Sequence, residues 1–267
     1  MEKIYKNSFN HYWILTISVF LLLAFTMKIN AAGRDYYEIR FYKINSKSQE
    51  ERIDKFLKDA YIPALHRAGI RKVGVFKPIE TDTLSGKQIV VWIPFKSLQE
   101  FENLPAILDK DAKFQSDGKD YIDAAYNNVP YLRIEKILLK SFSEMPQFAV
   151  PPHKTSTSER IYELRSYQGP TEKMFQKKVE MFNEGGEVKL FKTLNFNAVF
   201  YAEVIAGSTM PNLMYMTTFS DMKSHDEHWN SFRTHPDWKV LSGMEKYKNT
   251  VSKSQIWLLH PTDYSEI

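Results

Sequence analysis

The chain has 267 residues, 43% of them hydrophobic, with a formal charge of +4 and no cysteine. That length and apolar content suffice for one large core or two ordinary ones. The missing cysteines exclude disulfides, thiolate metal sites and a catalytic thiol, and the interspersed charges lack the basic stripe that a nucleic-acid partner requires.

Lys3 and Lys6 precede an apolar run from Trp13 to Phe25, and Ala31-Ala32-Gly33 follows. A charged start, an apolar middle and small residues beyond form the grammar of a secretory signal in residues 1–32. The run is shorter than the roughly 20 residues of a membrane-spanning helix. Two readings stand. The segment is removed on export, to a periplasm or the outside, or it stays as an anchor because Asn30 occupies the outer small-residue position of the cleavage site. In the second case residues 13–25 are the part that meets a membrane.

Residues 33–142 open on Tyr37-Glu38-Ile39-Arg40-Phe41-Tyr42, a strand with two unlike faces. Apolar spacing then predicts a helix over 46–68, with Ile53, Phe56, Leu57, Tyr61, Ala64 and Leu65 inward and Gly69 ending it. Strands follow over 73–79 and 88–95, around turn chemistry at Thr81 to Lys87. Ser97 caps the next helix, with Glu100 three residues on. A less regular helical stretch reaches about Tyr126, and a strand runs from Tyr131 to Phe142.

Residues 143–158 are rich in Pro, Ser and Thr and read as an extended linker. Residues 159–267 then restart the order with Tyr162-Glu163-Leu164-Arg165-Ser166-Tyr167, which repeats the opening phrase. A helix from Thr171 is interrupted at Gly185-Gly186. Strands follow over 197–206 and 212–219, helices over 221–232 and from His235 to about Tyr247, and a last strand over 255–260. Strand, helix, strand, strand, helix, strand describes a ferredoxin-like sandwich with both helices on one face of an antiparallel sheet. The other face is bare, and the sibling copy is its natural cover.

The Tyr-Glu-Leu-Arg-x-Tyr phrase before this element order resembles the NIPSNAP family of the dimeric α/β-barrel superfamily, over about residues 159 to 261; the first segment reads as a more diverged copy. The resemblance implies an α+β chain of two tandem ferredoxin-like domains packed sheet to sheet as an intramolecular dimeric α/β barrel. It also implies relatives that include cofactor-free monooxygenases, haem-degrading enzymes and isomerases. The apparent export signal departs from mitochondrial members, so their location does not carry over.

If helices cover the Tyr162/Leu164 face, then Glu163, Arg165 and Tyr167 point into the inter-sheet space, as do Glu38, Arg40 and Tyr42. As a ligand site, Arg165 anchors an anion and Glu163 accepts a proton. As structure, the two form an ion pair that seals the seam, and its presence in both copies favours that reading. His225 and His228, three apart on one helix face, are the candidate catalytic bases, where the first copy has Phe101 and Leu104. Asn197, Val199, Tyr201 and Glu203 alternate along one strand face. With Glu163, Arg165 and Tyr167, the expected ligand lining is Asn197, Tyr201, Trp229, His235 and Trp238.

No ligand spacing matches a zinc or iron signature and no motif asks for a cofactor, although a haem or a metal stays open. The expected partner is a small, partly hydrophobic molecule in the cleft of the second segment. The competing expectation is a non-enzymatic protein-interaction scaffold, which a filled cleft around His225, His228 and Trp229 favours. Further homo-oligomerisation is left open.

Overall fold

The computed structural model describes residues 33–267; the proposed signal or anchor in residues 1–32 lies outside them. Among the described residues no helix is long and apolar enough to cross a membrane.

Each half begins with its copy of the repeated phrase. β1 (Tyr36–Lys43) leads to α1 (Lys47–Lys55), which passes through a π-helical segment (Phe56–Tyr61) into α2 (Ile62–Arg67). β2 (Gly74–Pro78), β3 (Gln88–Phe95), α3 (Leu98–Lys110), the short α4 (Ala112–Asp117) and α5 (Lys119–Ile122), and β4 (Arg133–Ser141) complete the half. The second half runs β5 (Ile161–Gln168), α6 (Glu172–Phe182), α7 (Glu187–Thr193), β6 (Phe200–Ala206), β7 (Asn212–Phe219), α8 (Met222–Thr234), α9 (Pro236–Gly243), a 3-10 turn (Glu245–Tyr247) and β8 (Lys253–Pro261). Side-chain caps fix the helix starts: Ser46, Ser97, Thr171 and Asp221 each accept from the backbone N–H three residues on.

The eight strands close into one barrel in the order β1-β3-β2-β8-β5-β7-β6-β4. Each half contributes four neighbours in the same pattern, β4-β1-β3-β2 and β8-β5-β7-β6. The halves meet edge to edge: β2 pairs with β8 (Phe76 opposite Pro261) and β4 with β6 (Ser141 opposite Ala202), all antiparallel. Closure removes the exposed edges that an open sheet would carry. The interior is apolar and aromatic, with Tyr37, Ile39, Trp92, Tyr162, Leu164, Phe200 and Met216 in one cluster.

The facing expected of the repeated phrase is reversed. Tyr162 and Leu164 lie inside the barrel, as do Tyr37, Ile39 and Phe41. Glu163, Arg165 and Tyr167 instead face the helices of the second half, and Glu38, Arg40 and Tyr42 those of the first. A closed barrel explains the reversal, because its interior has room only for side chains that fill it, and uncharged bulk fills it at least cost.

The expected alternation along 197–206 also fails at its start. β6 begins only at Phe200, Asn197 adopts a left-handed backbone with φ of 46°, and Val199 turns into the barrel while Tyr201 faces the helices. The 143–158 segment is extended but closely held. Asp35 N–H donates to Pro146 O, Ala149 N–H to Val199 O, and the Phe148 ring meets Trp92 edge-on at 5.1 Å. Phe148 thereby stoppers one end of the barrel.

Candidate functional site

The helix-facing side of β5 builds a buried polar centre. Glu163 has a side chain 1% exposed and Arg165 one 15% exposed, with Arg165 Nη2 2.7 Å from Glu163 Oε1. The second carboxylate oxygen accepts from the Trp229 indole N–H at 2.6 Å, brought down from α8. The Arg165 guanidinium lies over the Trp229 ring, 3.6 Å from its centroid, a cation–π arrangement that strengthens when desolvated. Arg165 also donates to the Tyr167 hydroxyl at 3.0 Å, which lies 2.9 Å from the Tyr215 hydroxyl of β7. The carboxylate is therefore satisfied by charge and by hydrogen bonds, the condition for burying it.

His225 enters from α8, its Nε2 3.5 Å from Glu163 Oε1 and its Nδ1 2.8 Å from Asp226 Oδ1. Burial lowers its pKa, but the nearby Glu163 and Asp226 carboxylates outweigh burial and raise it above the ordinary imidazole value. For Glu163, burial acts upward, and His225 with Arg165 outweighs it and holds the carboxyl below its ordinary range. A raised imidazole stabilises the fold fully below its unfolded value of about 6.5, and loses that contribution as pH rises through the folded value. The depressed carboxyl stabilises above its unfolded value of about 4.3, and loses its contribution as pH falls through the folded one. Half-buried His153, lowered by desolvation and by Arg160, works against the first trend. The expected result is that His225→Gln removes part of the alkaline decline in thermal midpoint that begins above about pH 6.5 and leaves the acid limb in place. Differential scanning fluorimetry of both proteins across pH checks it.

The other expected residues separate. His228 faces the Ser224 carbonyl at 2.6 Å and, like His225, meets the ring of Phe219 edge-on. The two imidazoles thus flank apolar surface with different polar partners. His235 caps α9 by accepting from Asp237 N–H, and Trp238 packs on Phe232 at 4.5 Å. Asn197 and Tyr201 line a cavity of about 360 Å³ with Met145, Val188, Phe191 and Asn195, between the linker, α7 and β6. The layer around Trp229 is filled by Phe191, Phe196 and Phe232.

Sequence reasoning missed a further buried ion pair, Lys178 Nζ to Glu187 Oε2 at 2.9 Å, whose ammonium lies 4.8 Å from the Phe182 ring centroid. Burial raises Glu187, and Lys178 only partly opposes it. The one available signal was position, since Lys178 adjoins Val179 on the inward stripe of α6. Tyr215 was also missed. Among the described residues no group of three or more His, Asp or Glu is placed to hold a metal ion.

Solved structures share this architecture. A Lactobacillus acidophilus NCFM protein, provisionally assigned as a monooxygenase, is similar with a TM-score of 0.56 at 11% identity, covering 85% of this chain and 94% of its own. A Fusobacterium nucleatum protein with the same provisional assignment gives 0.54 at 11%, covering 86% and 93%. An anthrone oxidase-like protein gives 0.51 at 9%, covering 88% and 94%. At such identities the likeness concerns the fold alone, a closed, sheet-rich α/β barrel. No curated protein matches the sequence. The NIPSNAP family model matches residues 162–266, the stretch of the second half that carries the Glu163 centre.

Proposed function

We propose that the protein is an exported pair of ferredoxin-like siblings closed into one barrel, which binds a small, partly apolar molecule beside Tyr201. The cavity of about 360 Å³ lined by Tyr201, Phe191, Val188 and the Asn195 and Asn197 amides carries this reading. Its size sits at the lower end of ligand pockets, about 300–1,000 Å³, and its lining is the usual apolar wall with a few polar groups. Burial first, and then Glu187, raises the Tyr201 hydroxyl well above the ordinary phenol value, so it is a protonated donor at neutral pH. Tyr201 and Asn197 orient the ligand, and Phe191 of the lining packs against Trp229 of the Glu163 centre. The fold likeness makes cofactor-free oxidation or isomerisation of an aromatic substrate the first reaction to assay; His225 and His228, the imidazoles expected to act as bases, lie outside the cavity lining.

A screen of aromatic and quinone-like compounds by thermal shift tests this. A ligand at 100 times its Kd stabilises by about 2.7 kcal/mol, about 5–10 °C at this size. Ala198→Trp, which fills the cavity, is expected to abolish the shift. A shift that survives Ala198→Trp rules the site out. The filled layer around Trp229 supports the competing scaffold reading, under which no compound shifts the wild type.

A further inference from the structure

The barrel has a second end, and it is built differently from the one that Phe148 closes. Along six strands the inward-facing row changes from apolar to polar one step before the opening. The polar members are Lys43, Gln88, Glu135, Ser166, Asn212 and Gln255, and all of them line one cavity of about 340 Å³. Beneath them Phe41, Ile137, Met214 and Trp257 form its floor. Strand alternation alone sets this pattern, because every second residue faces inward.

We propose that this open end is a binding site, separate from the Tyr201 cavity, for a small carboxylic acid with an apolar body. Three observations carry it. The first is hydrogen-bonding capacity already buried in the lining. Asn212 is 1% exposed, and the Ser166 hydroxyl engages its Oδ1 at 3.0 Å, which leaves the amide NH₂ for an acceptor. The Trp257 indole N–H is buried in the same lining without an acceptor, a condition that costs about 1–3 kcal/mol.

The second is charge. Glu135, the one acid in the lining, is engaged by Lys43 Nζ at 3.3 Å and by the Ser208 hydroxyl. Lys87 Nζ donates to the neutral Thr83 carbonyl and has no carboxylate partner among the described residues. The inward rows continue outward to Arg133 on β4 and Lys253 on β8, both exposed, which makes the rim basic. The third is shape: an aromatic and aliphatic floor under a polar collar fits a molecule that is apolar at one end and anionic at the other.

The test uses the full chain and three probes: phenylacetate, hexanoate and the neutral benzyl alcohol. Intrinsic tryptophan fluorescence and thermal shift report binding. Both acids are expected to saturate, at least tenfold more tightly than the alcohol, and to weaken as salt is added. Met214→Trp, which fills the floor, should abolish binding, and the fluorescence change should vanish in Trp257→Phe. Lys87→Glu, a substitution at the exposed rim that leaves the interior untouched, should weaken the acids about tenfold or more, about 1.4 kcal/mol. It decides the matter if Met214→Trp does not fold. Absence of saturation up to about 10 mM, weaker than any useful affinity, overturns the proposal. So does equal binding of alcohol and acids, or indifference to Lys87→Glu. Ala198→Trp should leave acid binding intact, so failure at either cavity is told apart from failure at the other.

Discussion

Glu163→Ala is expected to destabilise the protein by about 3–5 kcal/mol, the range for removing one partner of a buried ion pair. The substitution strands the Arg165 guanidinium over the Trp229 ring and leaves the indole N–H without its acceptor. Each loss is a desolvated group left unpaired, and the penalty attaches to the survivor more than to the vanished contact. The double substitution Glu163→Leu with Arg165→Met distinguishes this from a simple packing defect. It removes both charges while keeping the volume, and should recover most of the loss. Chemical denaturation of the three proteins measures it. A double variant as unstable as Glu163→Ala alone would mean that the carboxylate matters for something besides neutralising Arg165.

Trp92→Ala is expected to cost about 3–5 kcal/mol, as large aromatic truncations in cores do. The side chain is wholly buried in the barrel interior, with Tyr37 at 5.3 Å, Phe148 at 5.1 Å and Phe200 at 6.0 Å between ring centroids. These neighbours come from β1, from the segment between the halves and from β6, so the void opens against both halves at once. A thermal midpoint lower by about 6–20 °C is the expected readout at this chain length. Trp92→Phe should cost far less, because it keeps most of the area and deletes an indole N–H that has no partner.

Much of the architecture was legible from periodicity. The doubled Tyr-Glu-x-Arg-x-Tyr phrase, the capping Ser97 and the polar turn at Thr81 to Lys87 placed most elements within a few residues. Facing was not legible, because both faces of β5 carry large side chains and spacing cannot say which one meets helices. The ion pair invited placement at the seam between sheets, yet the helix layer supplies what the barrel interior lacks: the Trp229 N–H, the Tyr167 hydroxyl and His225. Tyr201 and Asn197 do share a cavity, although the strand that was to align them starts three residues late. The Lys178–Glu187 pair was hidden because a lysine on a stripe edge reads as solvent-facing until a partner arrives from the next helix.

The two junctions between halves are short. The ladder of β1 with β3 matches eight residues on each side, whereas β2 meets β8 over three and β4 meets β6 over four with a register shift. Parting the cylinder along those lines would also break the flanking bonds from Ile79 N–H to Leu258 O, Thr262 N–H to Val75 O and Phe142 N–H to Tyr201 O, and would expose a pair of strand borders on each half, ready to accept the matching borders of another molecule. The same handful of contacts that lets one polypeptide complete its own ring would serve equally to trade halves between two chains, with the stretch around Phe148 acting as the tether that keeps the exchange within a single molecule.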